Sequence, residues 1–464
     1  MTSIQHYDVL VIGGGPGGTP AAMALAQGGR HVLLVEAGAG LGGTCLFEGC
    51  IPSKIFRETA ARRQESLRSA EFGLPAMDAA AVRVDWDAVQ ARKHRILSLR
   101  AQGARAEAGT LPGLELVFGR ARLTGPRTGV IETPGRPREV AFDTAILATG
   151  SIASRPPIEG ADLPGVLDST GLLEIGSVPE SLALIGAGPI GVEMAQIFAM
   201  LGSRVTLLEA MPRILGPVDA VLAGLLVDRL RADGVVVHTG AAIEAIVAGE
   251  DRYSVRYMHE GAHRTVRAEA VAIVAGRRPN VDGLGLETTA VRHDVHGVRV
   301  DGTLQTDEPG IYATGDLVGN PMFAHWATAQ ARALAGHLMG APTRFPQEEH
   351  NSAVIFSYPE LGMAGLTEEA ARAAGLDVAV AEYDYRIDAR AQISGDAFGR
   401  VRIVHRVDDR RVVGIHALVE GAADLMGEAA LVVRHGLTID QIAETIHPHP
   451  TLTEAFGLAS LRVR

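Results

Sequence analysis

Two stretches of the chain share one pattern of apolar and small residues. The run Asp8-Val-Leu-Val-Ile-Gly13 breaks into a glycine-rich turn that ends at Gly18. The same order returns in Ser181-Leu-Ala-Leu-Ile-Gly186, with a turn that ends at Gly191. A short continuous apolar run, a glycine turn and then a longer apolar stretch predict strand, turn and helix at both places. Each helix is followed by a second apolar run that closes on an acid at the same distance past the first glycine. His31-Val-Leu-Leu-Val leads to Glu36, and Arg204-Val-Thr-Leu-Leu leads to Glu209.

One GxGxxG turn is a weak signal, but two copies with matching strands, helices and acids are a strong one. Gly13 and Gly186 permit the tight turn, Gly15 and Gly188 let the backbone approach a pyrophosphate, and Gly18 and Gly191 allow close helix–strand packing. Glu36 and Glu209 would hold ribose hydroxyls. Two dinucleotide-binding units follow. The short apolar runs Thr144 to Gly150 and Gly310 to Asp316 both end in Thr-Gly, one before the second unit and one after it, so the first unit is predicted to be discontinuous. From about Asn351 strands are predicted at Arg400 to Val404 and Val412 to Val419, joined by the turn Asp408-Asp409-Arg410. Helices are predicted at Ala422 to Arg434 and Ile439 to Ile446, as in an α+β domain. The expected fold is α/β, with two Rossmann-like domains and an α+β C-terminal domain. A chain of 464 residues suits three or four domains.

The net charge of -11 and the lack of any basic run argue against a nucleic-acid partner. Apolar stretches are broken by glycine before membrane-spanning length, and the chain enters its first strand too early for a leader sequence, so a cytoplasmic protein with no membrane partner is expected. Of 43 Lys plus Arg, only Lys54 and Lys93 are lysine, and the only two cysteines are Cys45 and Cys50. So close a pair reads as a redox centre. A C-x4-C pair at the start of a helix can close a disulfide, and the helix N-terminus favours its thiolates. A metal site would need a further cysteine or a nearby histidine, so no metal is expected.

The segment Gly42-Gly43-Thr44-Cys45-Leu46-Phe47-Glu48-Gly49-Cys50-Ile51-Pro52-Ser53-Lys54 resembles the redox motif of the class I pyridine nucleotide-disulfide oxidoreductases, and the resemblance extends over the whole chain. It implies FAD bound by 1–150 and 277–346, NAD by 151–276, and a dimerisation domain at 347–464. By the same resemblance Cys45 exchanges with substrate, Cys50 contacts the flavin, and Lys54 lies near flavin N5 and pairs with Glu193. Thr44, Thr149, Gly150, Asp316, Ala324 and Gly276 match flavin-domain positions, with Asp316 on the ribityl chain.

The ending His447-Pro-His449-Pro-Thr-Leu-Thr-Glu454 resembles that of the lipoamide dehydrogenases, with His449 as general base and Glu454 orienting it. His447 falls at the non-catalytic position. A homodimer is implied, with the base supplied by the other subunit. A lipoylated carrier is also implied, of a 2-oxoacid dehydrogenase, the glycine cleavage system or sulfur oxidation. The chain lacks the C-terminal cysteine pair of mercuric reductases, and Glu209 disfavours the extra phosphate of NADP used by glutathione-type reductases. A non-catalytic flavoprotein subunit would be expected to have lost the cysteines, base or lysine, and all are present. Phe47-Glu48 between the cysteines, Trp326 where lysine is common and the early Pro20 depart from the lipoamide dehydrogenase pattern.

Overall fold

The computed structural model describes residues 4–133, 135–249, 252–319 and 321–463; the outermost residues of the first and last predicted domains, 1–3 and 464, lie outside them. The chain forms two compact units. One gathers residues up to Ser53, Gln90–Ser154 and Gly276–Pro346. The other gathers Lys54–Val89, Arg155–Ala275 and the chain from Gln347 onward.

In the first unit the strands Leu114–Phe118, Val32–Glu36, Gln5–Ile12 and Arg138–Leu147 lie side by side in parallel, and Ile311–Ala313 joins the last of them. Strands Thr128–Glu132 and Arg120–Gly125 extend the sheet antiparallel. Strand Gln5–Ile12 is covered on both faces because its side chains alternate. Leu10 and Ile12 join one core with Leu33 and Phe142, while Val9 and Val11 join another with Ala21, Ala22 and Leu25 of helix Thr19–Gln27. Pro20 falls in the first turn of that helix, where its missing N–H costs nothing.

The second unit repeats the device. Strands Val236–His238, Arg204–Leu208, Ser181–Ile185, Ala270–Ile273 and Val166–Leu167 form a parallel sheet. Along Ser181–Ile185, Leu182 and Leu184 face one core and Ala183 and Ile185 the other. Its C-terminal part is a five-stranded antiparallel sheet in the order Ser352–Ile355, Leu361–Gly365, Val412–Leu418, Arg400–Arg406 and Val378–Asp384. Leu425, Met426, Ala429, Val432 and Val433 of helix Ala422–His435 share a core with Ile403 and Ile415 of that sheet. The helix expected at Ile439 to Ile446 is shorter, Ile439–Glu444, with a Thr438–Gln441 capping box. The chain turns extended at Thr445, and Ile446 is 96% exposed. The His-Pro-His-Pro run beyond cannot continue a helix.

Candidate active site

The two glycine turns superpose in their chemistry. Gly13 and Gly186 each have φ +109°, a conformation that strongly favours glycine. A Cβ at Gly18 would overlap the Gly13 carbonyl oxygen, and one at Gly191 would overlap that of Gly186. Open space lies instead at the middle glycines. Among the described residues, a Cβ on Gly188 would meet nothing within 4 Å, and one on Gly15 only the Gly43 Cα at 3.7 Å.

Both acids are held by backbone amides. Glu36 accepts from the N–H groups of Gly14 at 2.6 Å and Gly38 at 2.5 Å, and Glu209 from those of Ala187 at 2.6 Å and Met211 at 2.8 Å. A fixed carboxylate beside an open glycine cradle at a helix N-terminus fits a pyrophosphate and its ribose diol in each unit. The arginines flanking Glu209 are engaged elsewhere. Arg204 pairs with Glu180 at 2.9 Å, and Arg213 holds both oxygens of Glu369 at 3.0 and 2.8 Å.

The cysteine segment is pinned to the first turn. The Gly42 N–H donates to the Gly14 carbonyl at 2.8 Å, and a Cβ on Gly43 would lie 2.8 Å from the Gly15 Cα. The expectation of a pair across the start of one helix is refined. Thr44 and Cys45 sit in the short helix Gly43–Phe47, and Cys50 opens the next, Cys50–Leu67. The break falls at Glu48 and Gly49, where Glu48 leaves the helical range at φ -131°. Inside this second helix the Ser53 Oγ donates back to the Gly49 carbonyl at 2.7 Å. Cys45 is half-buried and Cys50 exposed.

Thr149 Oγ1 donates to the Asn280 carbonyl at 2.7 Å, and the Asn280 N–H returns a bond of 2.9 Å to Gly150. Gly276 precedes the strand Arg277–Pro279, which pairs with Ser151–Ala153. Asp316, half-buried in the turn Gly315–Val318, accepts from Ser151 Oγ at 2.6 Å, and that oxygen in turn accepts from Arg277 Nε at 2.7 Å. Ala324 begins helix Ala324–Leu338, whose first turn includes Trp326.

In the second unit Lys54 Nζ lies 2.9 Å from Glu193 Oε2 and 4.5 Å from the centre of the Phe356 ring. Glu193 is buried and accepts from the Phe356 N–H at 2.8 Å. His449 Nδ1 lies 2.9 Å from Glu454 Oε1, and the Thr451 N–H donates to Glu454 Oε2 at 2.8 Å. That amide first, and then the imidazole, hold the Glu454 carboxyl below its ordinary pKa. The His449 side chain is 72% exposed. It and the cysteines belong to different units.

Sequence reasoning passed over a second pair, His447 Nε2 with Glu428 Oε1 at 2.9 Å, the histidine buried at 8%. His447 had only a loop position to recommend it, and Glu428, 19 residues earlier in helix Ala422–His435, carried no local signal. Arg57, described below, was also missed, one arginine in an arginine-rich chain. Among the described residues no helix is long and apolar enough to cross a membrane.

Residues 7–331 match the pyridine nucleotide-disulphide oxidoreductase family, and residues 351–460 match that family's dimerisation domain. The chain belongs to this family of flavoprotein oxidoreductases, with a disulfide redox centre and FAD and NAD as cofactors. Within it, the chain stands close to the lipoamide dehydrogenases. It is 36% identical to the dihydrolipoyl dehydrogenase of Geobacillus stearothermophilus, over 96% of this chain and 94% of that protein. It is likewise 36% identical to that of Thermus scotoductus, over 97% and 96%. Among solved structures it resembles the HOCl-induced flavoprotein disulfide reductase RclA from Escherichia coli. The TM-score is 0.87 at 27% identity, covering 99% of this chain and 100% of the other. The dimerisation domain supports a homodimer.

Proposed function

We propose that this chain is a dihydrolipoyl dehydrogenase, which oxidises the dithiol of a protein-bound dihydrolipoyl group at Cys45 and Cys50 and delivers the electrons to NAD. The observation that carries the reading is the His449–Glu454 pair, its carboxylate fixed by the Thr451 N–H and its imidazole open to solvent. The level of identity to dihydrolipoyl dehydrogenases supports the same substrate class. In this reading residues 1–150 and 277–346 hold FAD, 151–276 hold NAD, and 347–464 form the subunit interface. The enzyme works in the cytoplasm, where its nicotinamide cofactor is at hand.

The chain's own residues supply each step. A substrate thiol gives its proton to Nε2 of the partner subunit's His449, and Glu454 stabilises the resulting imidazolium. The substrate thiolate attacks Cys45 Sγ, breaking the Cys45–Cys50 disulfide and leaving Cys50 as thiolate at the N-terminus of helix Cys50–Leu67. The second substrate thiol closes on the mixed disulfide at the substrate sulfur, its proton passing to the departing Cys45 sulfur. It releases Cys45 and the oxidised lipoyl ring, with one disulfide lost and one gained. FAD, when bound, carries the electron pair from the reduced cysteines to NAD. Lys54, held by Glu193, keeps a positive charge one helical turn beyond Cys50. Glu209, fixed by two amides, takes a ribose hydroxyl and disfavours a 2′-phosphate, so NAD is preferred to NADP.

The test compares turnover on free dihydrolipoamide, lipoylated carrier proteins and glutathione disulfide. His449→Ala should lower dithiol oxidation by roughly two to four orders of magnitude while NADH-to-quinone transfer, which bypasses the thiols, survives. Equal loss of both activities would make His449 structural. Likeness to RclA favours a second reading, a reductase of another disulfide. Turnover on such a substrate with none on dihydrolipoamide would establish it.

A further inference from the structure

The segment Phe356 to Tyr358, between strands Ser352–Ile355 and Leu361–Gly365, is gripped from two helices. From helix Pro189–Leu201, Glu193 accepts from the Phe356 N–H at 2.8 Å. Three residues on, Gln196 accepts from the Tyr358 N–H at 2.6 Å and donates to the Tyr358 carbonyl. From helix Cys50–Leu67, Arg57 reaches the same backbone. Its Nε donates to the Phe356 carbonyl at 3.1 Å and its Nη2 to that of Ser357 at 2.9 Å. Arg57 is in turn fixed by both oxygens of Glu420 at 2.8 Å and by Glu360 at 3.4 Å.

Phe356 therefore touches Lys54 with its ring, Glu193 with its amide and Arg57 with its carbonyl. Lys54 and Arg57 are three apart on one helix and share a face. An arginine fork suits two adjacent carbonyls and a carboxylate at once, which a lysine ammonium cannot span. The side chain is only 12% exposed, so these bonds are sheltered from water.

We propose that Arg57 is a positioning residue for the redox site: by clamping Phe356 and Ser357 it fixes the amide that orients Glu193 and the ring that bounds Lys54, and so sets where the Lys54 charge stands. This rests on the reading of Lys54 as the cation beside the flavin. Displacing that charge disfavours the reduced, more negative flavin, so loosening the clamp lowers the flavin potential. No direct contact between Arg57 and the flavin is needed.

The test measures the midpoint potential of the FAD bound to the purified holoenzyme, equilibrated against a reference dye, in Arg57→Met, Arg57→Lys, Glu193→Gln and the double variants. Each Arg57 variant is expected to raise the oxidised-to-reduced ratio about tenfold at fixed potential, or about 30 mV for a two-electron couple. Arg57→Lys keeps the charge but loses the fork, and it carries the test should Arg57→Met not fold. In the Glu193→Gln background the Arg57 effect should shrink below twofold, since both act through one pair.

Potentials unchanged in the Arg57 variants, while Glu193→Gln shifts its own, would reduce Arg57 to a structural staple and overturn the proposal. Fully additive shifts would overturn it too, because Arg57 would then act by another route. If Glu193→Gln itself left the potential in place, the assignment of Lys54 to the flavin would fall, and the proposed route with it.

Discussion

At Gly15 the space beside the nucleotide turn is bounded by Gly43 and the short helix that carries Cys45, whereas at Gly188 none of the described residues offers an atom within 4 Å of where a Cβ would stand. The helices behind the turns differ as well. Thr19–Gln27 buries only alanines and a leucine, while Pro189–Leu201 also buries Glu193 and Gln196, which reach out to hold Phe356 and Tyr358. The same strand–turn–helix unit has thus been put to two uses. Both turns leave room at the middle glycine, but one is flanked by the redox segment and the other is not.

The largest effects are expected where the turns are alike. Gly18→Ala and Gly191→Ala each drive a Cβ into a backbone oxygen that cannot move aside, costing roughly 3 kcal/mol or more. Gly18→Ala should give colourless protein. Gly191→Ala should keep its flavin and lose reduction by NADH, as absorbance and stopped-flow measurements would show. Identical phenotypes would erase the distinction between the two units.

The middle glycines sharpen it. Gly15→Ala and Gly188→Ala meet no close protein atom, so both variants should fold. Gly15→Ala should shed FAD on gel filtration. Gly188→Ala should hold FAD and raise KM for NADH about tenfold, about 1.4 kcal/mol of binding. Glu209→Ala should lower kcat/KM for NADH by about tenfold and raise that for NADPH a few-fold by removing the charge that repels its phosphate. A large gain with NADPH would mean that Arg213 leaves Glu369 for a phosphate.

The smallest effect concerns the polar network behind the second helix. Burial, partly offset by Arg57 and reinforced by Glu360 and Asp396, pushes the Glu420 carboxyl from 4.5 up to about 7. Asp396 is itself paired with Arg68 at 2.7 Å. A folded-state pKa above the unfolded one means stability present below pH 4.5 and lost as pH rises through about 7. Glu420→Gln does not titrate, so its melting temperature should gain on the parent between pH 5 and 8. After allowance for solvent exposure the gain is on the order of 1 kcal/mol. A constant difference across that range would show that Glu420 does not titrate there.

Both glycine turns, with Glu36 and Glu209, were legible because their constraints are local: a strand, a tight turn and an acid at fixed spacing. The His449–Glu454 pair was legible for the same reason, five residues apart within one proline-bounded run. His447–Glu428 and Arg57–Glu420 were not, since each joins elements whose meeting is decided by the tertiary fold. The break between the two cysteine helices escaped notice although Gly49 marks it; the first helix ends where the Glu48 N–H donates to the Thr44 carbonyl. The helix end at Glu444 was missed by two residues, a matter of where the coming prolines are first felt.

The scarcity of lysine gives the Lys54–Glu193 pair an experimental use. Lys93 is fully buried, whereas the Lys54 side chain is 31% exposed. An amine-directed acylating reagent applied to the folded protein freed of its FAD therefore meets a single accessible lysine side chain. Its rate of labelling, read by mass spectrometry, reports how firmly Glu193 holds that amine in the unaltered sequence.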